Sequence, residues 1–153
     1  MKLKETALAA AALALVVTSA NARPHHRDHG PLKIVIETVD HQRYRTVGDW
    51  QLKPDGLHIL VSRMSDQRYE FLVGMHEAIE AYLCKQAGIS QAAVDRFDQA
   101  YERRRKAGND SEPGDDPKAP YHKEHMFASK VERMLANELG VRWNAYDREV
   151  SSK

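Results

Sequence analysis

Apolar residues come in short β-branched runs between Leu32 and Met64, then recur at helical spacing from Ser65 onward. Leu32-Lys33-Ile34-Val35-Ile36-Glu37-Thr38-Val39 is β-branched and partly alternating, the pattern of a strand. Tyr44 to Leu52 is a weaker strand interrupted by Gly48, and Leu57 to Met64 is a third. The Pro54-Asp55-Gly56 turn between these two joins them as a hairpin. Ser65 or Asp66 caps a helix running to about Ala87, and Gly88 suits its C-terminal stop. A second helix runs from Gln91 to about Lys106 behind Ser90, with Ala93, Val94, Phe97 and Tyr101 on its inner face. After a polar loop from Gly108 to Pro120, a third spans about Tyr121 to Glu138 and stops at Gly140. Arg142 to Val150 forms a short terminal helix. Strands followed by helices predict an α+β fold, a small N-terminal antiparallel sheet of about three strands followed by three to four helices.

The first residues stand apart from this pattern. A basic start at Lys2 and Lys4, an apolar run from Thr6 to Val17 and an Ala20-Asn21-Ala22 cleavage site give residues 1–22 the form of a secretory signal peptide. The apolar run is too short to span a bilayer. The expectation is an exported chain, periplasmic or secreted, with no membrane span in its mature part. Residues 23–31 hold His25, His26 and His29 with two prolines and read as a flexible tether, leaving residues 32–150 as a single domain.

Of 23 Lys and Arg and 22 Asp and Glu, only Lys2, Lys4 and Glu5 lie in the leader, so the remainder balances at 21 each. Zero net charge argues against nucleic acid, whose phosphates demand a basic excess. Cys84 is the single cysteine, so no internal disulfide forms, and within an apolar helix it reads as a small hydrophobe.

The chemistry concentrates in His76-Glu77-Ala78-Ile79-Glu80. These are the only ionisable side chains, apart from Tyr82 and Cys84, between Glu70 and Lys85. Residues i and i+4 share a helix face, so His76 and Glu80 can converge on one point. Burying an imidazole and carboxylates among apolar neighbours is costly unless they are paired or hold a metal. Imidazole nitrogen and carboxylate oxygen are both zinc ligands. In the zinc-hydrolase helix H-E-x-x-H the intervening Glu is the general base. Here Glu77 occupies that position and Glu80 stands where the second His would be. A third ligand must come from elsewhere, and Tyr121 to Glu132 is the best source. His122 and His125 are i, i+3 neighbours, and Glu132 lies two turns beyond His125. His125 is preferred because it sits further into the helix, closer to Ala128 and Val131; His122 and Glu132 are alternates.

With a strand from Leu57 to Met64 leading into Phe71-Leu72-Val73-Gly74-Met75-His76-Glu77, the chain resembles the minimal zincin core of small metallopeptidases. There an edge strand precedes the active-site helix and a later helix provides the third ligand. It also resembles a group of short phage and bacterial proteins with a His-Glu-x-x-Glu helix and a terminal Gly-Val-x-Trp segment, here Gly140-Val141-Arg142-Trp143. The resemblance covers roughly residues 57–146. It implies a zinc-dependent, peptidase-like hydrolase acting on a peptide or protein substrate, with Glu77 catalytic.

Other constellations are weaker. Asp110, Glu112, Asp115 and Asp116 crowd one loop, but their spacing is not that of a Ca²⁺-binding EF-hand, and they read as a solvated acidic loop. Trp143 and Tyr146 read as core or lid. Two rival readings accompany the hydrolase. One is a non-enzymatic binding or structural protein with a buried His-Glu network. The other is a non-catalytic metal binder to which His25, His26 and His29 contribute.

Overall fold

The structure is a computed structural model that describes residues 31–153. The leader (1–22) and the histidines of the tether, His25, His26 and His29, lie outside the described residues. Three strands, β1 (Ile34–Val39), β2 (Gly48–Lys53) and β3 (Gly56–Ser62), form one sheet in the order β1-β3-β2. Four helices follow: α1 (Gln67–Ala87), α2 (Gln91–Arg104), α3 (His122–Glu138) and α4 (Trp143–Val150). The α+β arrangement expected from the sequence is therefore the one observed.

The sheet is mixed rather than wholly antiparallel. β2 and β3 form the expected hairpin, with Lys53 opposite Gly56, but β1 lies parallel to β3, with Ile36 opposite Ile59. Leu57, Ile59 and Val61 are the most thoroughly buried face of any strand. That strand takes the central position, where both of its edges are paired. β1 and β3 both run against β2, so placing β3 between the others makes β1–β3 a parallel pair. The connection over residues 40–47 folds across the sheet, where Gln42 donates its Nε2 to the Leu60 carbonyl at 2.9 Å. Arg43 grips Asp49 through two bonds of 2.8 and 2.9 Å, and the Tyr44 hydroxyl donates to the same carboxylate. These side chains are spent on Asp49, and β2 begins at Gly48 rather than Tyr44.

Helix α1 starts at Asp66, whose side chain accepts the Arg68 amide at 2.9 Å, and stops at Gly88, which takes the left-handed conformation at φ 73°. Leu72, Val73, Ala78, Ala81 and Cys84 join Leu57, Ile59 and Val61 in one core. Gly74 permits a close approach of helix to sheet, because a Cβ there would lie 2.8 Å from Ile36 Cγ2. Helix α3 packs along α1. From α4, the buried Tyr146 meets Tyr69 and Trp143 edge-on. Helix α2 ends at Arg104 because Arg105 turns back to bond Glu102 and the carbonyls of Asn109 and Ser111. No described helix is long and apolar enough to cross a membrane.

The core assignment gives a direct contrast within α1. Leu72 is fully buried while Phe71 is 46% exposed. Leu72→Ala should lose about 3 kcal/mol of unfolding free energy. Phe71→Ala should stay within about 1 kcal/mol of the parent, both measured by urea denaturation.

Candidate metal centre

The packing of α3 on α1 places the three preferred donors together. His76 and Glu80 project from one face of α1, and His125 enters from the first turns of α3; all three are buried. His125 Nδ1 lies 3.0 Å from Glu80 Oε2 and 3.2 Å from His76 Nε2. His76 Nε2 is 3.4 Å from the same Glu80 oxygen. Donors held about 2.1 Å from a tetrahedral ion stand roughly 3.4 Å apart. This His76–Glu80–His125 group can hold a metal ion.

Whether the donors fit a cation depends on which ring nitrogens carry protons, and their outward partners decide that. On the far side of His76, Nδ1 bonds Glu132 Oε2 at 2.9 Å. On the far side of His125, Nε2 faces Glu112 Oε2 and Asp115 Oδ1, each at 3.5 Å. A carboxylate beside one ring nitrogen favours the N–H there and leaves a lone pair on the other. Once the inward protons are displaced, both inward nitrogens present lone pairs to the same point as the Glu80 oxygen. Two further donors fix the carboxylates. The Trp50 indole donates to Glu80 Oε1 at 3.3 Å, leaving Oε2 for the cluster. The Tyr146 hydroxyl donates to Glu132 Oε1. The donor set therefore fits a small divalent ion on chemical as well as geometric grounds.

The alternates take other roles. Glu132 sits behind His76 rather than beside the cluster. His122 Nδ1 donates to the Gly114 carbonyl at 2.8 Å and so ties down the loop ahead of α3. That loop is more than a solvated acidic segment, because Glu112 and Asp115 aim at His125. Gly114 makes the approach possible, as a Cβ there would lie 2.3 Å from the imidazole Cγ. Trp50, Glu112, Asp115 and Tyr146 were not among the expected site residues. Nothing in local spacing identifies them, since they reach the centre from three separate parts of the chain: β2, the loop before α3, and α4.

Glu77 stands next to the group, on the wall of a cavity of about 130 Å³ that His76, Glu80 and His125 also line. Its carboxylate lies on bare backbone at Gly48, where a Cβ would come within 2.4 Å of Oε1. It bonds no other side chain among the described residues. Burial and the neighbouring Glu80 push its pKa well above the usual carboxylate value. Glu80 goes the other way. Burial alone would raise it, but hydrogen bonds from His125 and His76 outweigh that and hold it at about 2. Burial would lower both imidazoles, yet their carboxylate partners prevail. His76 is raised, and His125 is raised to about 9. Also lining the cavity, the Tyr121 hydroxyl donates to Asp98, whose pKa burial lifts to about 7. Compared with known protein families, curated proteins and solved structures, the chain matches none.

The raised histidines dictate a pH response. In the metal-free fold His125 holds its proton up to about pH 9, against an unperturbed value of 6.5. Its contribution to stability is complete below pH 6.5 and is lost as pH rises through about 9. A cation competes with that proton, so its apparent affinity rises over the same window, by up to about tenfold per pH unit for each proton displaced. Zinc titrations against a competing chelator at pH 6, 7 and 8 should show this climb, and calorimetry in buffers of different ionisation enthalpy should register proton release. Gly114→Val, which drives a side chain into the His125 ring, should weaken zinc binding at least about tenfold at pH 7.

Proposed function

We propose that the protein is an exported, zinc-dependent hydrolase of peptide or amide bonds. Zinc suits a ligand set of two imidazoles and one carboxylate. The observation that carries the reading is the placement of Glu77: a carboxylate one residue from a ligand, against the cavity wall, with no partner side chain among the described residues. When bound, a divalent ion of this kind supplies Lewis acidity and makes water a nucleophile at neutral pH.

The residues of the chain divide the remaining work. His76, Glu80 and His125 bind and orient. Glu132 and Tyr146 hold the His76 ring, and Trp50 keeps one Glu80 oxygen turned inward. Glu77 accepts a proton from the attacking water and returns it to the leaving nitrogen, a task for which its raised affinity for protons suits it. A cation at the cluster would lower that affinity again. The Gly48 backbone beneath it fixes the carboxylate without occupying its oxygens.

A second reading is favoured by one specific observation. No side-chain N or O of the cluster is buried without a partner; among the described residues only Gln42 Oε1 is. The same network would then serve as a buried polar tie between α1 and α3 in a non-enzymatic protein.

Two variants separate these readings. Purified protein is expected to carry near-stoichiometric zinc by elemental analysis, and the double substitution His76→Ala with Glu80→Ala is expected to lose it. Glu77→Gln should keep the zinc and reduce hydrolysis of a casein or peptide-library substrate at least about 100-fold. Zinc-free protein whose melting temperature ignores chelator would favour the structural tie. Zinc-loaded protein that hydrolyses nothing, with or without Glu77, would leave a metal binder without catalysis.

A further inference from the structure

We propose that the protein forms a two-fold dimer by antiparallel pairing of β1 with β1 of a second copy. Among the described residues β1 is an edge strand, paired only with β3. The carbonyls of Lys33 and Val39 accept bonds from Leu57 and Arg63, so the odd-numbered residues of β1 turn their backbone groups towards β3. By alternation, the N–H and C=O groups of Ile34, Ile36 and Thr38 point to the open edge. Such an edge is a template for another strand unless it is blunted. Here it is flanked by exposed apolar side chains: Leu32 at 67%, Ile34 at 40% and Ile36 at 42%.

The occupant follows from the strand's own sequence. In an antiparallel pairing with the dyad at Val35, Ile34 of one copy faces Ile36 of the other. Both belong to the outward set, so each such pair exchanges both backbone hydrogen bonds. In the same register Lys33 faces Glu37 of the other copy, and the two-fold axis repeats that contact. Shifting the dyad to Ile34 or Ile36 keeps the hydrogen-bond parity but sets Lys33 opposite Val35 or Val39. Only the register at Val35 satisfies charge, apolar contact and backbone together. Glu37 is exposed and bonds nothing among the described residues. Among the described residues Lys33 pairs only with Asp55, and both are more than half exposed, so that contact is readily exchanged. The metal centre lies towards β2, at the opposite edge, and stays open in the dimer.

Sedimentation velocity of the purified protein up to about 100 µM tests this. The expected result is a concentration-dependent dimer, with slowed amide exchange at Ile34, Ile36 and Thr38 as concentration rises. Glu37→Lys places like charges opposite at both repeats and should weaken the dimer at least about tenfold without lowering the melting temperature. Lys33→Glu combined with Glu37→Lys restores opposite charges and should restore dimerisation. A protein that stays monomeric throughout, with β1 covered by residues 1–30 or by nothing, would overturn the proposal. So would a dimer indifferent to both charge variants, or one in which exchange at the β1 edge is independent of concentration.

Discussion

Two buried imidazoles, each backed by a carboxylate, are the constraint on which the rest of this structure depends. A lone histidine inside a core would simply lose its proton. His76 and His125 are instead held by Glu132 on one side and by Glu112 and Asp115 on the other, while both face Glu80. The arrangement draws on elements both before and after α1. Helix α3 supplies His125 and Glu132, the loop before it supplies Glu112 and Asp115, α4 supplies Tyr146 and β2 supplies Trp50. The fold beneath the site is small, and much of what distinguishes its buried interior is polar.

The electrostatics of the group are those of a cation site occupied by protons. Glu80 is held acidic, and His76 and His125 are held basic. Positive charge belongs at the centre whether protons or a metal ion supply it. Glu77 is the exception. It shares the buried environment without sharing the hydrogen bonds, so nothing of that kind offsets the rise in proton affinity that burial brings. Neighbouring carboxylates pushed in opposite directions are the usual basis for dividing structural from proton-transfer roles.

Most of the architecture was legible in the chain itself. The caps at Asp66 and Gly88, the turn at Pro54–Asp55 and the helical spacing after Ser65 are local signals, and the elements follow them closely. Strand order was not legible, because the parallel β1–β3 pair arises from competition for the central position, which no single strand encodes. The same division holds at the site. His76 and Glu80 share a helix face by spacing alone, and His125 was favoured over His122 by its depth in the last long helix. The outer layer depends on long-range packing. Glu132 lies 56 residues from His76. Glu112 and Asp115 reach His125 only because Gly114 lets the loop lie against the ring. A local acidic cluster carries no sign of that.

X-ray absorption at the zinc edge, on zinc-loaded protein freed of excess metal, tests the central claim most directly. The first shell should contain nitrogen and oxygen donors at about 2.0–2.1 Å, with outer scattering from two imidazoles that falls to one in His125→Ala. A zinc shell with no imidazole contribution, or protein that retains no zinc, would contradict it.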